Sequence, residues 1–515
     1  MSEALYTPPE FADLSELAQD ALGGFVLYAT DEFFAAKDNL LKRGEALFDP
    51  AAYTDRGKLM DGWESMRRRT PGHDFAIIRL GIPGVLHGFL VDTAHFKGNS
   101  PTHVSIDVIE LPGASTERLL AAAHEPGGWV ELVPRTAVQP NFKNVVLVNL
   151  PRRATHVRLH IYPDGGVARL RVFGHAAPAP ATFWRASTLD LAAIEHGGHV
   201  VRESNKFYGP PQNLLLPGRG VNMGDGWETA RRRTPGTDWA VVALGRPGVL
   251  ERVELDTHFF KGNAPQAVEL RGLDARALDG EALERALSTG DGFGPLVPKS
   301  PTEPHQRHAL TPVSRRVVTH VRVDMYPHGG INRMRLFGQP IDTPDEQDRL
   351  DALAAMPEAE RRALFGRWCA ARRYVDAMMA HGRFPTVHGL LVVSLEALDG
   401  LSEPDWLEAF DGHPKLGEAK QAARADAEGA RLSSQEQSGV QAAAAATLAR
   451  LAEGNAAYAA RHGFIFILFA SGRTAGEVLG ELEARIDAPR AVELERAAGE
   501  QRKITQRRIE GFVEG

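Results

Sequence analysis

The chain contains a set of polar residues whose types suit binding of a small anion and transfer of protons. The set comprises Asp61, Glu64, Arg67, Arg68, Arg69, His73, Asp74, His95, Lys97 and Asn99. Guanidinium and ammonium groups bind anions, while histidines and carboxyl groups donate and accept protons. Because the set surrounds turn residues such as Gly72 and Gly98, the sequence predicts a polar site built from loops. Any single member, taken alone, is better explained as part of a turn or a solvated surface.

Most of these residues occur twice because a long segment of the chain is duplicated. "MDGWESMRRRTPGHDFAIIRLGIPGVL" (60–86) matches "GDGWETARRRTPGTDWAVVALGRPGVL" (224–250), and "DTAHFKGNSP" (92–101) matches "DTHFFKGNAP" (256–265). Matching residues lie 164 positions apart, as Asp61 and Asp225 do. A period of this length indicates a duplicated domain rather than a solenoid repeat.

The two copies differ at their histidines. Thr237 stands where the first copy has His73, and Phe259 stands where it has His95, with His258 displaced by one position. If this segment is extended, a displacement by one residue turns the side chain to the opposite face. The sequence therefore predicts that only the first copy keeps the full acid–base set. Its histidines and carboxylates are residue types that can bind a metal ion. No close spacing of such ligands in the sequence argues for a metal site.

The pattern of apolar residues predicts that each copy is a β domain. In "HVRLHIYP" (156–163) apolar residues alternate with polar ones, and the second copy repeats the alternation. Other β-rich runs, "AIIRLG", "GFLVDT", "VSIDVIEL", "VVLVNL" and "ARLRVFG", stand between Gly and Pro turns, which is typical of a sandwich or jelly roll. The Pro-rich "HAAPAPAT" (175–182) predicts an extended linker between the copies.

After Gly338 the sequence predicts helices. Segments such as "EQDRLDALAAM", "EAERRALFGRWCAARRYVDAMMA" and "AVELERAAGEQRKITQRRIEGF" are rich in Ala, Leu, Glu and Arg, with helical spacing of the apolar residues. The predicted fold class is therefore multidomain, with two all-β jelly-roll or β-sandwich repeats followed by an all-α domain. The predicted domains are residues 1–175, 183–340 and 345–515.

The helical region contains further candidates for chemistry. They lie in "DGHPKLGE" (411–418), "SSQEQSG" (433–439) and "HGFIFILFASGR" (462–473). Each stretch also has a plain structural explanation. His413 precedes a proline and can simply end a helix, Ser433 and Glu436 have the spacing of a capping box, and "FIFILFA" is apolar enough to be a buried core segment.

Composition excludes several classes of protein. The 515 residues carry a net charge of −7, which gives no reason to expect nucleic acid as a partner. Cys369 is the single cysteine, so no intrachain disulfide forms and a reducing compartment fits. The start lacks the features of a secretory signal, and the apolar run of residues 464–470 is too short to cross a bilayer. We expect a cytoplasmic protein that binds neither membranes nor nucleic acid.

The duplicated region resembles allantoicase over about residues 22–338. The resemblance rests on "RGKLMDGWESMRRRTPGHD", "DTAHFKGN" and "GRGVNMGDGWETARRRTPG". It implies two jelly-roll repeats of the galactose-binding-like type and the hydrolysis of allantoate to ureidoglycolate and urea. Attack by water needs a base and departure of urea needs a proton donor, for which the candidates are His95, His73, Asp61 and Glu64. The candidates for substrate binding are Arg67, Arg68, Arg69, Asp74, Lys97 and Asn99.

The helical region resembles 2-oxo-4-hydroxy-4-carboxy-5-ureidoimidazoline (OHCU) decarboxylase over about residues 345–513. The resemblance rests on the three stretches above and on the late "KITQRRIEGF". It implies that His413 is the proton donor and that Glu436 and Arg508 take part in catalysis. The implied substrate-binding residues are Pro414, Ser433, Ser434, Gln435, Gln437, Phe466, Ile467, Leu468, Phe469 and Ala470. The substrate's own ring can take up the charge left by loss of CO₂, so no cofactor is expected.

The two resemblances together imply a bifunctional enzyme of the ureide pathway in urate breakdown. Its expected substrates are small anionic ureides, its decarboxylation product is (S)-allantoin, and we expect a homo-oligomer. The alternative is a binding protein in which two carbohydrate-type jelly rolls are fused to a helical interaction domain. Sugar-binding surfaces usually expose aromatic residues, whereas the repeated loops carry Arg, Lys, His, Asp and Glu, which favours an enzyme for a small polar anion.

Overall fold

The structure is a computed structural model that describes residues 7–11, 13–125, 127–413, 436–471 and 473–515, with side chains omitted for 436–445. It divides into two compact units. One comprises residues 1–110 and 129–341, and the other comprises residues 111–128 and 342–515. The first unit contains both β repeats and the second contains the helical region, so the expected change from β to α structure is confirmed. The three predicted domain boundaries remain predictions.

The first repeat is built on two long strands. Its strands are β1 (Ser15–Glu16), β2 (Phe25–Ala29), β3 (Tyr53–Thr54), β4 (Gly57–Lys58), β5 (Trp63–Glu64), β6 (Asp74–Asp92), β7 (His103–Ile109), β8 (Val130–Ala137), β9 (Lys143–Tyr162), β10 (Gly166–Val167) and β11 (Arg169–Ala176). The main sheet has the order β1-β11-β6-β9-β7-β8, and β2 also pairs with β6. Between β7 and β8 lies helix α1 (Thr116–Ala121).

The second repeat has the same strand order. After α2 (Ala181–Trp184) come β12 (Leu189–Asp190), β13 (His199–Glu203), β14 (Trp227–Glu228), β15 (Asp238–Asp256), β16 (Ala267–Leu273), α3 (Gly280–Thr289), β17 (Gly294–Pro301), β18 (Arg307–Leu310), β19 (Val317–Tyr326), β20 (Gly330–Ile331) and β21 (Arg333–Pro340). The main sheet runs β12-β21-β15-β19-β16-β17, with β13 and β18 also on β15. Because the order matches that of the first repeat, the duplication extends to topology.

Several predicted strands are parts of longer ones. "AIIRLG" and "GFLVDT" both lie in β6, and "VVLVNL" and "HVRLHIY" both lie in β9. β6 pairs with β2 through residues 76–79 and with β11 through residues 84–92, with an irregular register against β9 between the two parts. The Gly and Pro residues that suggested a turn therefore mark the change of partner within one strand.

One face of each sheet forms the hydrophobic core. In the first repeat the core contains Trp63, Ile78 and Leu159, and its counterpart in the second contains Trp227 and Val242, all fully buried. The alternation in β9 predicted this face correctly. The predicted linker is only partly extended, because β11 ends at residue 176 and α2 begins at residue 181.

The second unit is helical as predicted. Its helices are α4 (Pro344–Ala355), α5 (Glu358–Trp368), α6 (Arg372–Ala380), α7 (Val387–Asp399), α8 (Glu403–Asp411), α9 (Glu436–His462), α10 (Ala475–Arg485) and α11 (Arg490–Glu514). Thr343 and Glu346 close a capping box at the start of α4. Among the residues that the structure describes, no helix is long and apolar enough to cross a membrane.

Candidate functional site

In the first repeat, the turn that follows β9 (residues 162–166, "YPDGG") organises the predicted polar residues. Asp74 donates its backbone N–H to a carbonyl of this turn (3.2 Å), and Asn99 accepts an N–H from it (2.7 Å). The backbone N–H of Arg68 is bound by the turn's carboxylate (2.7 Å). Three segments that are distant in sequence therefore meet at one end of β9.

Glu64 and Asn99 are directly hydrogen-bonded beside this turn. The Asn99 Nδ2 donates to Glu64 Oε1 at 2.7 Å, and Asn263 donates to Glu228 at the same distance in the second repeat. Burial raises the pKa of Glu64 above its ordinary value, and the Asn99 hydrogen bond acts in the opposite direction. Since both repeats make the pair, it stabilises a shared loop arrangement.

Arg68 and Asp74 form a second pair that recurs. Arg68 Nη2 lies 2.8 Å from Asp74 Oδ1, and Arg232 lies 2.7 Å from Asp238. The hydroxyl of Thr30 also donates to Asp74 (2.9 Å). The other cationic candidates of this region, Arg67, Arg69 and Lys97, are exposed and lie on the surface, where an anion can reach them.

Asp61 is bound by a buried arginine. Arg169 Nη2 donates to its carboxylate (2.6 Å), as does the backbone N–H of Leu47 (3.0 Å). Burial alone would raise the pKa of Asp61, but these hydrogen bonds outweigh burial and lower it. In the second repeat Arg333 lies 3.0 Å from Asp225, so the aspartate–arginine pair is also a common structural feature.

His95 lies on a turn. The sequence analysis assumed that this segment is extended, and the structure shows that it is not. Its φ is 70°, and its backbone N–H donates to Asn141 Oδ1 (2.8 Å). The imidazole Nε2 lies 3.0 Å from the carbonyl of Ala46, and the ring stacks on Phe48 with centroids 5.2 Å apart. Because the backbone is left-handed here, strand alternation cannot decide which way the displaced histidine points.

The second repeat fills the equivalent turn differently. Phe259 has the same φ of 70°, and its backbone N–H donates to His305 Nδ1 (2.9 Å). His258 instead pairs with Asp256, Nδ1 to Oδ1, at 2.6 Å. The missing histidines at Thr237 and Phe259 therefore reflect a real difference between the two copies.

The sequence analysis missed the residues that hold His73. His73 Nε2 lies 2.8 Å from His160 Nδ1, and His160 Nε2 lies 2.9 Å from Asp107 Oδ2. Arg158 Nη2 also binds this carboxylate (2.6 Å). The polar face of β9 contains both Arg158 and His160, so strand alternation was the signal. Pairing with Asp107 requires the register of β7, which the sequence does not show.

The site residues thus fall into two neighbouring groups. Glu64, Arg68, His73, Asp74 and Asn99 surround the turn at residues 162–166, whereas Asp61 and His95 both contact the segment at residues 46–47. In the part of the chain that the structure describes, no group of three or more His, Cys, Asp and Glu side chains is placed to hold a metal ion.

A cleft of about 550 Å³ lies between the two repeats. Glu16, Arg43, Tyr208, Asn222 and Asp225 are among its lining residues. Within the described residues, Glu16 Oε1 and Asn222 Oδ1 are buried without a hydrogen-bond partner. Burial raises the pKa of Glu16 to about 7. This cleft is another place in the first unit where a polar ligand can bind.

In the helical unit, His413 and Arg508 line one cavity. The cavity has a volume of about 680 Å³ and is also lined by Trp368, Ala409 and Phe512. Arg508 Nη1 donates to the carbonyls of Arg367 (2.8 Å) and Trp368 (3.1 Å). The structure therefore brings the predicted proton donor and the predicted anchoring arginine to the same space.

Gln501, which the sequence analysis missed, fixes the imidazole of His413. His413 Nε2 lies 2.6 Å from Gln501 Oε1, and Gln501 Nε2 donates to the hydroxyl of Thr505 (3.1 Å). That hydroxyl in turn donates to the carbonyl of Trp368 (3.1 Å). Because the carbonyl only accepts, this series of hydrogen bonds places the proton of neutral His413 on Nε2 and leaves Nδ1 without a proton.

The surroundings of His413 favour its neutral form. Burial is the main cause that lowers its pKa, the positive charge of Arg508 lowers it further, and the hydrogen bond to Gln501 raises it. A histidine whose pKa lies below its ordinary value loses a proton readily near neutral pH. His413 can therefore donate a proton from Nδ1 only after this nitrogen has been protonated, either on substrate binding or by solvent.

The segment Phe466–Ala470 is an irregular chain rather than a helix. The N–H of Phe466 donates to Asn455 Oδ1 (2.9 Å), and the N–H of Phe469 donates to Glu500 (2.8 Å). Phe466 and Ile467 are buried, Leu468 and Phe469 are half-buried and Ala470 is exposed. The predicted core segment is therefore confirmed at its start, and its end emerges at the surface.

Several predicted residues cannot be placed. Pro414, Ser433, Ser434 and Gln435 lie outside the described residues. Glu436 and Gln437 lie in the first turn of α9, but their side chains are outside the description as well. The predicted capping box and these substrate contacts therefore remain predictions.

Comparisons with known proteins agree with both resemblances. The allantoicase repeat model matches residues 15–177 and 189–341, and the OHCU decarboxylase model matches residues 354–510. Probable allantoicase 2 of Burkholderia pseudomallei is 45% identical over 334 residues, which are 63% of this chain and 94% of that protein.

Two solved structures are similar to different parts of the chain. The crystal structure of Saccharomyces cerevisiae allantoicase is 32% identical, with a TM-score of 0.51, and the match covers 63% of this chain and 93% of that one. A crystal structure of OHCU decarboxylase with (S)-allantoin is 32% identical, with a TM-score of 0.25, covering 29% of this chain and 97% of that one. The chain therefore belongs to the allantoicase family through residues 15–341, and an OHCU decarboxylase domain at residues 354–510 is fused to that region.

Proposed function

We propose that the protein catalyses two reactions of ureide metabolism, the hydrolysis of allantoate to ureidoglycolate and urea and the decarboxylation of OHCU to (S)-allantoin. The presence of both family regions in one chain carries this proposal. The exposed cationic residues of the first repeat suit the carboxylate of allantoate. The juxtaposition of His413 and Arg508 in one cavity suits an anionic ring that must receive a proton.

For the decarboxylase, His413 protonates the carbon that loses CO₂ and Arg508 anchors the anionic substrate. Glu436 takes part in catalysis, while Pro414, Ser433, Ser434, Gln435 and Gln437 bind substrate beside it. The segment Phe466–Ala470 forms a wall of the pocket. The OHCU decarboxylase family acts without a cofactor, and the chemistry agrees, because the substrate ring delocalises the charge that loss of CO₂ leaves.

For the allantoicase, we assign one group of residues to substrate binding and proton transfer and another to the positioning of loops. Arg67, Arg69 and Lys97 bind the substrate anion, while His73 and His95 are the proton-transfer candidates. Asp61, Glu64, Arg68, Asp74 and Asn99 position the loops, since the same bonds recur in the second repeat. That repeat lacks both histidines, which supports a single acid–base site for each chain.

A comparison of two variants tests the role of His95. His95→Ala removes the imidazole from the first-repeat turn, and His258→Ala removes the displaced one. We expect His95→Ala to lower urea release far more than His258→Ala, and a loss of the order of 10²–10⁴-fold, typical of general acid–base groups, would show that His95 itself transfers a proton. Equal losses of activity in the two variants would contradict the proposed difference between the two repeats.

The proposal also covers the cellular compartment of the enzyme, its oligomeric state and its need for a metal ion. We infer a cytoplasmic enzyme, since Cys369 is a free, buried thiol, and we expect a homo-oligomer without nucleic acid as a partner. Assaying urea release after treatment with a chelator, and again after adding back divalent metal, tests whether the allantoicase reaction needs a metal ion. The decarboxylase reaction should be unchanged by the chelator.

A further inference from the structure

We propose that Asp107, His160 and His73 form a proton relay that makes His73 the acid–base group of urea release in the first repeat. This inference rests on the proposed allantoicase function and deepens it. His73 is the catalytic residue, whereas His160 and Asp107 are positioning residues that act through it. The relay is defined by the 2.8 Å contact between the two imidazoles and the 2.9 Å contact between His160 and Asp107.

The contacts define where the protons are. Asp107 is ionised, because its hydrogen bonds to His160 and Arg158 lower its pKa more than burial raises it. A carboxylate only accepts, so His160 carries its proton on Nε2 and presents a bare Nδ1 to His73. His73 must then donate from Nε2. Its Nδ1, which makes no hydrogen bond within the described residues, is left as a base.

The surroundings of His73 suit an anionic substrate. Burial lowers the pKa of His73, and the positive charge of Arg68 lowers it further, so the imidazole is neutral near pH 7. Tyr162 packs against the imidazole with centroids 4.4 Å apart, and the guanidinium of Arg135 lies 4.3 Å from the Tyr162 ring centroid. Arg135 is exposed and His73 is partly exposed, so a carboxylate bound by Arg135 can bring its neighbouring carbon to His73.

In the second repeat the three positions of the relay are again polar, but the residues there differ in charge. Asp107 is replaced by Arg271, His160 by Asp324 and His73 by Thr237. Asp324 there binds Arg271 at 3.0 Å and also the neighbouring Arg322 at 3.0 Å. A network that served only to hold the sheet together could be the same in both repeats, as the other duplicated pairs are.

The relay accounts for both proton transfers of the reaction. The bond from the central carbon of allantoate to one ureido nitrogen breaks as the oxygen of water forms a bond to the same carbon. Nδ1 of His73 takes a proton from that water, and His73 gives this proton to the departing nitrogen. Urea and ureidoglycolate leave, and the enzyme regains its starting protonation state.

The decisive variant is Asp107→Asn in the full-length protein. An amide in this position can donate to His160 Nε2, which moves the proton of His160 to Nδ1 and that of His73 from Nε2 to Nδ1. The base is then blocked while the shape of the side chain is unchanged. We expect kcat for urea release to fall at least about 10-fold, with the 10⁴-fold loss of a serine-protease Asp→Asn change as an upper bound.

Asp324→Asn is the matched control, since it disturbs a buried ionic network at the equivalent place in the second repeat. We expect it to keep kcat within about 3-fold, provided that thermal unfolding shows both variants folded. Two-bond ¹⁵N–¹H spectra of histidine-labelled protein report the tautomer directly. They should show Nε2–H for His73 in the wild type and Nδ1–H in Asp107→Asn.

Three outcomes would overturn the relay. In the first, Asp107→Asn and Asp324→Asn reduce kcat equally, which means a structural network only. In the second, the tautomer of His73 is Nδ1–H in the wild type. In the third, Glu16→Gln abolishes urea release while Asp107→Asn does not, which places the chemistry in the cleft between the repeats. A wild-type protein that releases no urea at all would instead reject the proposed allantoicase function.

Discussion

At the scale of single residues, the informative question is which imidazole nitrogen is free to move a proton. The hydrogen bond from His413 to Gln501 (2.6 Å) and the one from His73 to His160 (2.8 Å) answer it in the same way. In each case Nε2 is hydrogen-bonded to a group inside the protein, and Nδ1 makes no hydrogen bond to any residue that the structure describes. Strand alternation places His160 on the polar face of β9, but sequence does not show that His160 and Gln501 become neighbours of their histidines, because helix and strand packing decides this.

We predict that His413→Asn separates the two activities. If His413 is the donor, the folded variant keeps urea release from allantoate and loses enzymatic decarboxylation. Spontaneous decarboxylation still produces allantoin, so the measurement is circular dichroism of the product. Racemic allantoin is expected. Formation of a single enantiomer at the wild-type rate would remove His413 from the mechanism.

We also predict that Gln501 acts through the tautomer of His413. Gln501→Leu should lower the decarboxylation rate roughly 10-fold or more and reduce the excess of (S)-allantoin, because nothing then holds the imidazole. Gln501→Glu retains an acceptor and should restore the handedness of the product. It should also move the pH optimum upward, since a carboxylate raises the pKa of a neighbouring histidine. If both variants behave alike, Gln501 only supports packing.

At the scale of elements, the sequence predicted which structures form better than where they end. Alternation in residues 157–161 identified the buried face of β9, and helical spacing identified α4, α5 and α11. The lengths of β6 and β9 were not predictable, since Gly and Pro at residues 81–84 look like a turn. In the structure they lie where β6 exchanges β2 for β11 as its partner, which is a property of the sheet.

The central strands also predict how stability depends on pH. Burial lowers the pKa of His156 in β9 to about 4. Because the folded pKa lies below the unfolded value near 6.5, folding favours the neutral form. The resulting stabilisation is complete above about pH 6.5 and is lost as pH falls toward 4. For one such histidine the loss is about 3 kcal/mol at pH 4.

The test compares the wild type with His156→Gln in denaturant unfolding between pH 7 and pH 4.5, so that other titrating groups cancel. The variant should be less stable at pH 7, and its stability should fall less steeply with acid. If the two proteins lose stability in parallel, His156 is not buried in its neutral form.

At the scale of the whole molecule, we predict that residues 1–340 and residues 341–515 carry separate activities. The first fragment contains both β repeats and should release urea. The second should decarboxylate OHCU but should unfold at a lower temperature than the same unit in the full chain. The reason is that residues 111–128, with the fully buried Leu119, belong to that compact unit and are missing from the fragment.

Adding a peptide of residues 111–128 to the second fragment tests the reason for this difference. We expect the peptide to raise the unfolding temperature of the fragment, and a peptide with Leu119→Asp to have no effect. Fragments that are both insoluble and inactive would contradict the separation of the two activities.

The central claim, that one chain carries out both reactions at two sites, is tested most directly by assaying both on single preparations of wild type, His73→Ala and His413→Asn. We predict that the wild type releases urea from allantoate and forms (S)-allantoin from OHCU. His73→Ala should lose only urea release, by on the order of 10²–10⁴-fold, and His413→Asn should lose only stereospecific decarboxylation. A wild type inactive in either reaction, or a single variant that abolishes both while folded, would contradict the account.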